Sequence, residues 1–308
     1  MPKADGADER QTKNARRAEA REKARQLREQ QRKKERRTTL LLQGGIGLGV
    51  IAAIGIVAVL ILNSTQPAAP GPRNMASDGI TIGSDYVAVT TPGLAPDATP
   101  QPLPENAPGV VAVNIWVDYL CPACGAFEQA NAETLRALID TGTATVTIHP
   151  IAILSNQGAS QRAANAAACV ADRSPNSFFD YNELLLTSQP GDGTGWSDEQ
   201  LIDFAASAGA GSSAVAECIT SGEFSSWVTA ATNRALAGPL PLEGTDLESV
   251  QGTPTVLVNG DQYLPANIGD STEFQQFVLK AAGEDFTLNP TPEPEEGADG
   301  GGGEEGDE

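Results

Sequence analysis

One histidine, His149, stands in a chain of 308 residues. That scarcity removes every mechanism that needs two, including His-rich metal centres and most zinc hydrolases. Four cysteines are too few for a domain built mainly from disulfides. Basic residues nearly vanish after position 39. The first 39 residues hold 14 of the 20 Lys and Arg but 7 of the 40 Asp and Glu, which leaves 6 basic and 33 acidic residues for the remainder. So acidic a surface is unsuited to phosphates, and nucleic acid is excluded as a partner. No motif in the chain calls for a metal or a cofactor.

Charge is absent from 40–62, LLLQGGIGLGVIAAIGIVAVLIL. At about 1.5 Å per residue this run crosses the roughly 30 Å of membrane hydrocarbon. A cleaved signal peptide has an apolar core of about 7–15 residues behind a short leader. Here the run is longer and 39 residues precede it, so it is read as a single transmembrane helix. RKKERR (32–37) lies directly before it, and Arg73 is the one base between it and Arg136. The positive-inside rule then keeps the basic segment 1–39 cytoplasmic, against membrane lipid, and exports the C-terminal bulk. Residues 63–109 read as a Pro-rich stalk with a short strand or hairpin at 80–90. Residues 287–308, acidic and without aromatics, read as a disordered tail.

The folded unit is expected over 110–286. VVAVNIWV (110–117) has the continuous apolar, β-branched pattern of a strand buried on both faces. CPACGAFEQANAETLRALID (121–140) follows as a helix, and TATVTIHPIAI (143–153) as a second strand. Residues 158–236 are Ala-rich and helical in pieces, broken at 174–177, 189–198 and 208–213, within an insertion of about 155–244. GTPTVLVNGDQYL (252–264) reads as strand, Asn259-Gly260 turn, strand. A helix over 271–283, capped by Ser271 or Thr272, closes the domain. The class is α/β with a helical insertion.

Cys121-Pro122-Ala123-Cys124 is the motif with chemistry built in. Cys121 follows a buried strand and Pro122 suits the first helical position, so the Cys121 sulfur meets unpaired N–H groups and the positive end of the helix dipole. Both favour thiolate and make this sulfur the attacking group. Cys124, one turn on, is placed to close a disulfide with it and store two electrons. A Cys₄ zinc site would draw on Cys169 and Cys218, which lie far away and far apart rather than as a second close pair. Those two are read as a bridge within the insertion, with two separate buried thiols as the alternative. Thr253-Pro254 puts a proline at the head of a strand. If its bond is cis, Thr253 presents backbone groups to a peptide crossing Cys121.

IWVDYLCPACGAFE (115–128) together with QGTPTVLVNG (251–260) resembles the DsbA-like branch of the thioredoxin-fold disulfide oxidoreductases, and is similar to the membrane-anchored actinobacterial type. The resemblance covers about 110–283. It implies a thioredoxin fold with a helical insertion, Cys121 as nucleophile, Cys124 as resolving cysteine, Pro254 as the family's cis-proline with Thr253 before it, and a second disulfide between Cys169 and Cys218. The function it implies is oxidation of cysteines in exported proteins, with a DsbB-like or vitamin-K-epoxide-reductase-like membrane partner for reoxidation. A reductase or isomerase of the same fold, and a non-enzymatic binding module, are the alternatives. The Pro-Ala dipeptide within the motif lacks the histidine of the enterobacterial relative, and Thr253 replaces that relative's valine.

Other residues near the motif carry open readings. Asp118 relays a proton to Cys124, caps the helix or faces water. Glu128 is placed at the surface, with a position near the site on the next turn as the alternative, and His149 in packing or solvent contact. Trp116 and Tyr119 are core or rim, with Tyr119 a candidate groove residue. Trp196 and Trp227 anchor the insertion.

Overall fold

In the structure, a computed structural model, residues 70–288 are described, apart from 97, 103–104 and 155–157. The basic segment 1–39, the anchor read at 40–62, the first residues of the stalk and the tail beyond 288 lie outside the described residues. No helix among the described residues is long and apolar enough to cross a membrane.

A five-stranded sheet forms the base. Its strands are β1 (Ile80–Ile82), β2 (Val111–Val117), β3 (Ala144–Pro150), β4 (Thr255–Val258) and β5 (Asp261–Gln262), in the spatial order β1-β3-β2-β4-β5. β2 and β3 run parallel, joined by the crossover helix α1 (Pro122–Asp140), and the other pairs are antiparallel. The continuous apolar run predicts a doubly covered strand, and β2 is one. Val111, Val113, Ile115 and Val117 face the main core, while Trp116 faces a second cluster with Ile151, Leu240, Val250 and Leu257. In the β4–β5 turn Asn259 and Gly260 both have positive φ, 49° and 90°, the backbone that the Asn-Gly pair accepts at least cost.

Five helices form the insertion: α2 (Ala159–Arg173), α3 (Phe178–Thr187), α4 (Asp198–Ser207), α5 (Ser213–Ser221) and α6 (Ser225–Ala237). Six alanines of α2 (163, 164, 166, 167, 168 and 171) are at most 1% exposed. Small side chains on all sides let neighbouring helices close in on it, which is why an Ala-rich helix is buried here. Trp196 and Trp227 are buried in the core of this block, Trp196 edge-on to Phe204. The last helix is α7 (Ser271–Leu288), with Ser271 and Thr272 inside it as its first two residues and not before it as caps. Instead the Asp270 carboxylate accepts from the Thr272 N–H at 2.9 Å.

The segment read as stalk carries the strand expected within 80–90, as β1, but otherwise differs from expectation. From residue 70 it packs on the domain. Met75, Ile80 and Ile82 are fully buried, and β1 pairs with the outer edge of β3. Arg73 binds Asp172 on α2 (Nε to Oδ1 3.0 Å), and Arg234 on α6 grips Asp78 with two hydrogen bonds of 2.7 and 2.6 Å. Three apolar residues and two charge pairs spread among prolines have no periodicity, so their burial is visible only in the partners they meet.

Candidate active site

The Cys-Pro-Ala-Cys motif sits where β2 ends and α1 begins. Cys121 is the N-cap residue, in extended conformation, with Pro122 as the first helical residue. Both motif cysteines are free thiols, Cys121 at 9% exposure and Cys124 at 1%. The Cys121 thiol is lowered from 9.0 to about 5. A hydrogen bond from the Cys124 thiol is the first cause, working against burial, and the first-turn amides of Ala123 and Cys124 add to it. Cys124 moves the opposite way. Burial comes first and the Cys121 sulfur next, and its thiol lies well above the ordinary range. The pair is split into one thiolate that keeps a small exposed face and one sealed thiol.

Thr253-Pro254 is cis, and the Cys121 thiol donates to the Thr253 carbonyl at 3.2 Å. Sheet register places it there, since Trp116 pairs with Thr255 across β2 and β4. The Thr253 hydroxyl is buried with no hydrogen-bond partner of its own. It is free to turn to the thiolate, and it contributes to the lowering of Cys121. A hydrogen bond to a charged group is worth about 1.5–3 kcal/mol, and one pKa unit is about 1.36 kcal/mol. Thr253→Val is therefore expected to raise the Cys121 midpoint by about one to two units, measured by ultraviolet absorbance of the thiolate. An unchanged midpoint excludes the hydroxyl.

Asp118 neither faces water nor caps α1. Its carboxylate is fully buried and accepts four hydrogen bonds: from Leu120 N, Ser160 Oγ, Ile153 N and Leu154 N, at 2.7–3.0 Å. It ties the loop after β3 to the strand before the motif. Glu128 is the clearest departure from expectation. It is 2% exposed rather than at the surface, and burial, with the Glu183 carboxylate second, holds its carboxyl up at about 8 against the pull of Arg136. Tyr119 is fully buried and donates to Asn182 Oδ1 at 3.1 Å, so it is core and not groove. Trp116 and His149 stack on the far face of the sheet, ring centroids 4.2 Å apart, and burial lowers His149 to about 3.

Gln189 has no counterpart among the expected site residues. Its Nε2 donates to the carbonyls of Tyr119 (2.8 Å) and Cys121 (2.9 Å) and so pins the motif from the insertion side. A Cβ on Gly125 would come 2.5 Å from Gln189 Oε1. The glycine inside α1, directly after Cys124, is thus the one local trace of this clamp. Cys169 and Cys218 are joined by a disulfide between α2 and α5, both buried and apart from the motif.

A family model described as thioredoxin matches residues 105–278. Among solved structures, oxidised DsbA of Mycobacterium tuberculosis is 30% identical, covering 67% of this chain and 93% of its own, with a TM-score of 0.47. The reduced disulfide bond oxidoreductase DsbG of the same organism is also 30% identical, over 70% of this chain and 90% of its own, with a TM-score of 0.49. BdbD of Bacillus subtilis is 22% identical, over 71% and 100%, with a TM-score of 0.49. No curated protein matches the chain.

Proposed function

The chain belongs to the thioredoxin family, and from that premise we propose that it is a protein disulfide oxidoreductase, anchored in the membrane by residues 40–62 and oxidising cysteines of exported proteins. One observation carries this: Cys121, with a small exposed face and a thiol lowered to about 5, beside a sealed Cys124 and opposite the Thr253 carbonyl. The site residues are Cys121 and Cys124 for exchange, with Thr253 and Pro254 holding the substrate backbone.

In the oxidised enzyme a substrate thiolate attacks Cys121 Sγ, the Cys121–Cys124 bond breaks, and its electron pair leaves on Cys124. A second substrate thiolate attacks the substrate sulfur of the mixed disulfide. The substrate departs with its disulfide, and Cys121 leaves as a thiolate. Two electrons thus pass from substrate to enzyme, and a membrane quinone-linked enzyme of DsbB-like or vitamin-K-epoxide-reductase-like type takes them on. A stable Cys121 thiolate favours the reduced enzyme and so makes the disulfide the stronger oxidant. That favours oxidation over reduction. A peptide crossing Cys121 pairs its backbone with Thr253, which leaves the enzyme tolerant of client sequence.

The test is refolding of a reduced, scrambled disulfide protein by the oxidised enzyme. Recovery of substrate activity is expected with the wild type and none with Cys121→Ser. A measured reduction potential near thioredoxin's, about −270 mV, would overturn oxidation in favour of reduction.

A further inference from the structure

A carboxamide of the insertion reaches the redox motif. Gln189 comes directly after Ser188, the C-cap of α3, whose N–H bonds to the Leu184 carbonyl at 3.0 Å. Leu185 and Leu186 are buried and seat the end of α3 in the core. From there Gln189 Nε2 donates to the Tyr119 carbonyl at 2.8 Å and the Cys121 carbonyl at 2.9 Å. Its Oε1 lies against Gly125 of α1, where a Cβ would stand 2.5 Å from it and 3.0 Å from the Leu186 carbonyl. Both ends of the carboxamide are therefore held, and the fit needs a glycine directly after Cys124.

Helix formation does not call for this contact. The Cys121 carbonyl already accepts from the Cys124 N–H at 3.0 Å and the Gly125 N–H at 3.2 Å. The turn before it is closed as well, by the Cys121 N–H on the Asp118 carbonyl at 3.0 Å. What Gln189 adds is a third donor on the oxygen of the residue that carries the attacking sulfur. The negative end of that carbonyl opposes a charge on the sulfur of the same residue. A donor on the oxygen weakens the opposition, and does so only while the sulfur is an anion. In the disulfide there is no charge to relieve. The bond is therefore worth more in the reduced enzyme than in the oxidised one.

We propose that Gln189 is a positioning residue of the exchange reaction, which holds the Cys121 turn so that its sulfur leaves as an anion and the motif disulfide stays oxidising. The role rests on the oxidoreductase reading above. It makes the insertion part of the redox machinery, because the donor arrives from the end of α3 and not from the strands and helix that carry the motif.

The test is Gln189→Met, which keeps the length of the side chain and removes its donors. The alkylation midpoint of Cys121 is expected to rise by about one pH unit. At pH 7 the reaction of reduced enzyme with glutathione disulfide, which gives oxidised enzyme and two molecules of glutathione, is expected to shift about tenfold toward oxidised enzyme, a potential lower by about 30 mV. Gln189 is partly exposed, so Gln189→Lys can be accommodated and returns a donor of similar reach. Its midpoint is expected at or below that of wild type. Gly125→Ala displaces the carboxamide and is expected to raise the midpoint by itself, yet to add nothing to Gln189→Met. Cys124 and Asp118, the titratable residues whose backbones bond to Cys121, are unchanged in every variant.

Folding is checked by the thermal midpoint. A residue that merely ties the insertion down would lower that midpoint and leave the Cys121 titration and the glutathione equilibrium where they were. That result overturns the proposal, and so does a Lys variant that behaves like the Met variant. Should Gln189→Met fail to fold, Gln189→Ala is read in its place against the same expectations. If the wild type itself does not exchange with glutathione, the oxidoreductase reading fails instead, and the alkylation midpoints still decide the part played by Gln189.

Discussion

Cys121 alkylates with a midpoint near pH 5, while Cys124 in the same folded molecule stays unmodified until the protein is unfolded; that is the expected result of a pH series with iodoacetamide on the reduced enzyme. The size of the effect follows from two opposed terms. At pH 6 a thiol with an ordinary value of 9.0 is about one part in a thousand thiolate, whereas Cys121 at about 5 is about nine-tenths thiolate. Low basicity costs nucleophilicity, with a Brønsted slope of about 0.4–0.5, so a drop of about four units removes about 40–100-fold. The ionised fraction wins at pH 6, where Cys121 reacts on the order of tenfold faster than an ordinary cysteine. At pH 9 the order reverses, because half of the ordinary thiols are ionised and each is the better nucleophile. The two curves cross near neutrality. A curve for Cys121 that merely runs parallel to that of free cysteine would show that the α1 terminus and the Cys124 thiol do not stabilise the anion.

The half of the site made by local order was legible in the sequence. A strand-forming run, two cysteines spaced one turn apart and a proline between them need only their neighbours to read, and so does the Asn259-Gly260 turn. The five insertion helices lie between breaks that glycine, proline and serine announce, although the break at Gly222 between α5 and α6 was not anticipated.

What stayed hidden has its partner far away in the chain. Glu128 looks like a surface residue because it is charged, yet it shares the α1 face of Cys124, Asn131 and Leu135, which closes on α3. The periodicity was readable, but a carboxyl on that face goes against the usual cost of burying charge, and cost is what a sequence reader assumes. Gln189 clamps Cys121 from 68 residues away. Arg234 finds Asp78 across 156 residues, which fastens the segment before β1 to the domain where composition alone suggested a stalk.

The buried Cys169–Cys218 bond is expected to carry stability and not redox chemistry, and the two roles separate cleanly in experiment. It closes a loop with a sequence separation of 49 between helices α2 and α5. In the chain-entropy account a loop of that length constrains the unfolded chain by about 4 kcal/mol. For a domain of this size that amounts to a fall in thermal midpoint of roughly 8–16 °C, since each kcal/mol moves it about 2–4 °C. Replacing both residues by alanine should produce that fall, read by circular dichroism, while the alkylation midpoint of Cys121 stays where it was. Burial adds a second readout. Cys169 and Cys218 are 0% and 1% exposed, so no external thiolate reaches them in the folded protein. Under mild reductant one thiol, Cys121, is expected to titrate in the native enzyme, and all four only after denaturation. A double-alanine variant that melts with the wild type would mean that the alanine packing around α2, and not the covalent bond, holds α5 in place.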